Sequence, residues 1–139
     1  MTAQILNPPG WPRPKGYSNG IAVTGRQIYV AGQIGWDAQG RFVSDQLAEQ
    51  VKQALLNIKA VLAEAQAAPE HIVRLTWYVT SREEYHANLP AIGAAYRAVL
   101  GKNFPVMSVV AVTALMEAQA KVEIEATAVV PSSPTSPAR

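Results

Sequence analysis

Glu123 and Glu125 alternate in the run Lys121-Val122-Glu123-Ile124-Glu125-Ala126. On an extended strand alternate side chains share a face, which places the two carboxylates about 6.5–7 Å apart. Carboxyl groups at that spacing suit acid–base work, because a poorly solvated cleft and a like-charged neighbour both help one of them hold or take a proton near neutral pH. The same pattern describes two solvated glutamates on a sheet face, paired with Lys121 or an arginine, and spacing alone leaves both readings open. Tyr17, in Lys15-Gly16-Tyr17-Ser18, stands at a glycine-marked turn, where it either lines a pocket with its hydroxyl or packs at a strand entrance. Gly32, in Ala31-Gly32-Gln33, is a glycine inside a strand pattern, the mark of a bulge, of close backbone approach or of packing against a helix. Met107, between Pro105 and Ser108, reads as core or interface filler.

Other chemistries are excluded by what the chain lacks. Cysteine is absent, which removes thiol nucleophiles, disulfides and Cys-ligated metals. The two histidines, His71 and His86, form no metal-binding pair. No phosphate loop, dinucleotide fingerprint or nucleophile elbow occurs, so no cofactor and no metal is expected. Twelve Lys and Arg against ten Asp and Glu leave a net charge of +2, and the basic residues are scattered from Arg13 to Arg139, which argues against a nucleic-acid partner. No apolar run approaches the ~18–20 residues of a membrane span, and the start MTAQILNPPGWPRP lacks the order of a secretion signal, so a cytoplasmic protein with no membrane association is expected.

The elements that must position these residues follow from periodicity. A length of 139 residues with 49% hydrophobic composition predicts one compact globular domain. Pro8, Pro9, Pro12 and Pro14 predict an irregular arm over residues 1–15, and PSSPTSPAR predicts a flexible tail over 131–139. Residues 18–34 alternate in polarity around Thr24-Gly25-Arg26-Gln27, which predicts two antiparallel strands joined as a hairpin. After the turn Asp37-Ala38-Gln39-Gly40, Ser44 is a candidate cap for a helix whose apolar stripe is Leu47, Val51, Ala54, Leu55, Ile58, Val61 and Leu62. Ile72 to Val79 reads as a central strand. Ser81 to Glu84 fits a capping box, but Pro90 interrupts, so the second main helix is placed over Pro90 to Leu100 with Gly101 as its stop. Val106–Val112 and Lys121–Val129 are strand-like. The order is ββαβαββ, an α+β sandwich of one sheet covered on one face by two helices. Its other face, if rich in Val and Ile, is an apolar patch that a closed homo-oligomer would bury.

Five segments in order resemble the reactive-intermediate deaminase family, also called Rid or YjgF: Gly16-Tyr17-Ser18, Val30-Ala31-Gly32-Gln33-Ile34, Leu56 to Leu62, Phe104-Pro105-Val106-Met107-Ser108, and Val122-Glu123-Ile124-Glu125-Ala126. The resemblance spans residues 16–130, the expected single domain. It implies a chorismate-mutase-like fold in a homotrimer with three clefts between subunits. It also implies cofactor-free hydrolysis of reactive enamines and imines, such as 2-aminoacrylate, to a keto acid and ammonia. Carried over residue by residue, Tyr17 matches the family's site tyrosine and Glu123 the glutamate that holds the attacking water, with Ala31, Gly32, Met107, Ser108 and Val109 as the implied substrate-binding residues. Tyr96 matches a tyrosine of the second helix, whose usual companion asparagine is here Gly93, and Gly16 replaces a proline.

One departure bears on mechanism. In typical members an arginine clamps the substrate carboxylate at the position of Met107. A thioether cannot imitate a planar, charge-assisted, bidentate contact, and such a bond is worth about 1.5–3 kcal/mol. The expectation is therefore deamination of a small imine or enamine other than the standard 2-aminoacrylate reaction. The alternative is a non-catalytic trimer that binds or senses a small metabolite. Ribonuclease activity, attributed to some relatives, fits poorly with the scattered basic residues and the absent histidine pair.

Overall fold

The computed structural model describes residues 3–132. Its main sheet has four strands in the order β3-β6-β4-β5, namely Gly25–Gln33, Val122–Pro131, Ile72–Val79 and Val106–Ala111. β3 and β4 both run antiparallel to β6, while β5 lies parallel to β4. The sheet is thus mixed, and the last strand among the described residues occupies its interior.

Helix α1, Leu47–Glu64, forms because its apolar residues recur every three or four positions. Leu47, Val51, Ala54, Leu55, Ile58 and Leu62 of that stripe are all buried, whereas Val61 is 40% exposed. Gln46, and not the expected Ser44, occupies the cap position; Ser44 lies two residues earlier, its Oγ accepting from the Gln46 amide at 2.9 Å. Pro69–His71 form a 3₁₀ turn that leads into β4. Where two helices were expected there are three. Ser81 Oγ accepts from the Glu84 amide at 3.0 Å and starts a short helix α2, Arg82–Ala87, and α3 follows over Leu89–Leu100. Pro90 lies in the first turn of α3, where its missing N–H costs nothing, so it begins the helix and ends nothing. Gly101, at φ 67°, stops it.

The N-terminal region also departs from expectation. Gln4–Leu6 form a strand, β1, that pairs antiparallel with β2, Gly20–Ala22, as a separate two-stranded sheet. The anticipated hairpin around Thr24 and Gly25 does not form, because β2 pairs with β1 and β3 pairs with β6. At the other end β6 runs through Pro131, the first residue of the anticipated tail, and residues 133–139 of that tail lie outside the described residues.

Strand alternation sets the core. Leu75, Trp77 and Val79 of β4 and Val122, Ile124, Ala126 and Ala128 of β6 face the helices and are buried. Trp77 meets Tyr85 edge-on and stacks on Tyr96, and Tyr96 stacks on Phe104, an aromatic row from α2 to the segment before β5. The opposite face is not the Val- and Ile-rich surface expected. In register it presents Gln27, Tyr29, Arg74, Thr76, Tyr78, Val106, Ser108, Val110, Glu123, Glu125, Thr127 and Val129, a mixture in which three valines stand among charged, hydroxyl, amide and aromatic groups.

Candidate functional site

Glu123 lies on β6 directly across from Tyr78 of β4. On its other side β3 carries an irregularity: Val30 pairs with Ala126 and Gln33 with Ile124, so β3 fits an extra residue at Ala31-Gly32. The bulge brings Gly32 against the Glu123 side chain, close enough that a Cβ on Gly32 would stand 2.7 Å from the carboxyl carbon. Gln33 Nε2 donates to the Ala31 carbonyl at 3.0 Å, which holds the bulge in shape.

The two glutamates differ in their partners. Tyr78 donates its hydroxyl to Glu125 Oε1 at 2.5 Å. That bond is the chief reason the Tyr78 phenol is pushed above its ordinary value, with burial and the charges of Glu125 and Glu123 adding to it. Among the described residues no side chain donates to Glu123. Lys121, a candidate partner for both glutamates, instead pairs with Glu84 at 2.9 Å.

Met107 and Val109 sit in register with Leu75 and Trp77 and pack against the helix layer, while Ser108 pairs with Thr76 on the open face. The Val112 amide donates to Val79 at 2.8 Å and the Ser18 amide to Pro105 at 3.0 Å. Backbone groups alternate along a strand, so those of Ser108 turn inward to β4 and those of Met107 and Val109 turn to the sheet's outer edge.

Tyr17 is held elsewhere. Gly16, at φ 81°, turns the chain. Ser18 then ties it to the start of β5, its Oγ donating to the Phe104 carbonyl at 2.6 Å. The Tyr17 ring is 42% exposed. It lines a cavity of about 860 Å³ with Trp11, Arg13, Lys102 and Phe104.

The fold therefore brings Glu123 and Gly32 together at one place and Tyr17 and the start of β5 together at another. It does not bring the two groups together within one chain: Glu123 and Met107 point to opposite faces and lie roughly 14 Å apart by strand spacing and rise. Tyr96 is used structurally. Burial pushes its phenol far above the ordinary range, and its hydroxyl donates to the Asn103 carbonyl at 2.5 Å. Gly93 faces Arg97. Tyr78 was missed from sequence; alternation in Ile72–Val79 sets it on the face of Arg74 and Thr76, but only the register with β6 pairs it with a glutamate. Among the described residues no group of three or more His, Asp or Glu side chains could hold a metal ion, and no helix is long and apolar enough to cross a membrane.

A family model described as Endoribonuclease L-PSP matches residues 12–130. The human protein named 2-iminobutanoate/2-iminopropanoate deaminase is 32% identical over 114 residues, covering 81% of this chain and 79% of its own. A RutC family protein of Pyrococcus abyssi is 32% identical over 130 residues, covering 92% and 98%. Among solved structures, the Rid family protein YyfB of Yersinia pestis, of unknown function, superposes with a TM-score of 0.80 at 37% identity, over 94% of this chain and all of that one.

Proposed function

The chain belongs to the Rid, or L-PSP, family, and from that premise we propose that it hydrolyses a small imine or enamine to a carbonyl compound and ammonia, in clefts shared between the subunits of a homotrimer. The working unit is residues 16–130. The observation that carries the reading is the Glu123 carboxylate, set on the open face against Gly32 with no side-chain donor among the described residues. Its free lone pairs can accept from a water and take that water's proton as oxygen attacks the C=N carbon. The C=N electron pair moves to nitrogen, which takes that first proton from the carboxyl and gives a carbinolamine; the carboxylate then takes the hydroxyl proton as the C=O bond forms and the C–N bond breaks, and passes it to the nitrogen, which leaves as ammonia.

The separation of Glu123 from Tyr17 and the β5 edge supports a shared cleft, since a second copy is what would supply the missing half. There Tyr17 orients the ligand, and the outward amide of Val109 holds an oxygen atom of it, with Ala31, Gly32, Met107 and Ser108 completing the wall. Met107 offers no cation to a carboxylate, so the substrate is less anionic or larger than a simple 2-imino acid.

The test supplies freshly generated 2-iminopropanoate, 2-iminobutanoate and an uncharged imine, and follows carbonyl product and ammonia. Acceleration is expected, greatest for the uncharged imine, and Glu123→Gln lowers it by about 100-fold or more. No acceleration on any of the three, or full activity in Glu123→Gln, removes the catalytic reading. Met107 favours one rival, a trimer that binds a metabolite without turning it over, for which a ligand raises the melting temperature and is recovered unchanged.

A further inference from the structure

We propose that Gly32 and Tyr78 are the positioning residues that make Glu123, and not Glu125, the working carboxylate. The inference rests on the reading that Glu123 handles the attacking water. The two glutamates share one strand face, two residues apart, so the strand itself does not distinguish them; the neighbouring strands do. On the β3 side, the extra residue between Val30 and Gln33 turns Gly32 toward β6. Without a Cβ there, the Glu123 side chain lies against the backbone of β3. With one, the Cγ at 2.8 Å and the carboxyl carbon at 2.7 Å would both have to leave. The bulge serves here as a recess cut to the width of one carboxylate.

On the β4 side, Tyr78 stands directly opposite Glu123 yet gives its hydroxyl to Glu125 at 2.5 Å. That bond fixes Glu125 in place. It also commits the hydroxyl of the residue paired with Glu123, so Glu123 keeps its lone pairs for water. Thr76, the direct partner of Glu125, leaves the same face open beside it. Glu123 is thus flanked by Gly32 on the β3 side and by Tyr78 on the β4 side.

The test uses Gly32→Ala and Tyr78→Phe in the full chain, with steady-state kinetics on the best imine and the ¹³C resonance of the Glu123 side-chain carboxyl. The atoms displaced by Gly32→Ala belong to a flexible side chain, so the protein is expected to fold and melt within a few degrees of wild type. Its kcat should fall about 100-fold, by more than any rise in KM from the crowded wall, since a displacement of an ångström at a reacting group carries a cost of that order. Tyr78→Phe should lower kcat about tenfold by releasing Glu125, and both substitutions should move the Glu123 resonance. Unchanged kcat in Gly32→Ala, a change confined to KM, or an unmoved Glu123 resonance overturns the proposal. If wild type turns over no imine, the hydrolytic reading fails by itself, and the resonance still decides whether Gly32 and Tyr78 place the carboxylate. If Gly32→Ala does not fold, Tyr78→Phe, altered on the open face, decides the same point.

Discussion

A phenol that donates to a carboxylate gives up its proton reluctantly, because ionisation would set two negative charges against each other across the bond. Tyr78 is in that position: its hydrogen bond to Glu125 comes first among the causes that raise it, and the Glu123 and Glu125 charges act in the same direction. The folded value lies above the unfolded one, so the stabilising contribution is complete below pH 10.0 and is lost as pH rises through the folded value. Absorbance titration of the phenols should show Tyr78 ionising above pH 10.0, and Glu125→Gln should bring it back toward that value. A Tyr78 that titrates identically in both proteins would contradict the hydrogen bond. At this scale the sequence was informative about Glu123 and Gly32, because strand alternation and a glycine within a strand are local patterns. Their contact was not legible, since it depends on a bulge that only the pairing of β3 with β6 creates. Tyr78 was hidden for the same reason.

Among the elements, the joint between α1 and the loop before β6 depends on one buried amide. Gln50 is fully buried on α1; its Nε2 donates to the Ser44 and Gln119 carbonyls, each at 3.0 Å, and its Oε1 accepts from the Lys121 amide at 2.8 Å. Three backbone groups from two loops are satisfied by that side chain. Gln50→Leu removes that partner from all three and should destabilise the fold by about 1–3 kcal/mol, seen as a lower urea midpoint at unchanged slope. A loss under about 0.5 kcal/mol would mean that water replaces the amide. Elements with a strong internal period, α1, β4, α3 and β6, were legible nearly to their ends. The hairpin was misjoined because Thr24-Gly25 is good turn chemistry whatever partner the flanking strands take. The proline-rich composition of the arm concealed β1, whose residues Gln4–Leu6 precede the first proline, Pro8, and keep every amide for pairing.

For the whole molecule, the open face changes the argument for assembly. An apolar sheet face would have demanded a partner; the face found, with Arg74, Glu123, Glu125 and three hydroxyl-bearing residues beside Tyr29 and Tyr78, can stand in water. The case for a trimer now rests on family membership and on the two halves of the site that one chain keeps apart. Sedimentation at micromolar concentration should give three times the mass of one chain. A species of single-chain mass would leave Glu123 without a Tyr17 to work with and would end the shared-cleft reading.

The place of β6 in the sheet has a consequence for how the chain reaches this state. It is the last strand among the described residues, and it separates β3 from β4, so neither has its inner neighbour until residues 122–131 have been synthesised. Until then the nascent chain holds two unfinished sheet edges, at β3 and at β4–β5, with the stripe of α1 only partly covered. Closure joins Gly25 to Pro131 across almost the whole sequence, a contact of high loop-closure cost that places the main barrier late. The strand that bears Glu123 is therefore also the one that completes folding, and a chain truncated before it would present open strands to its neighbours.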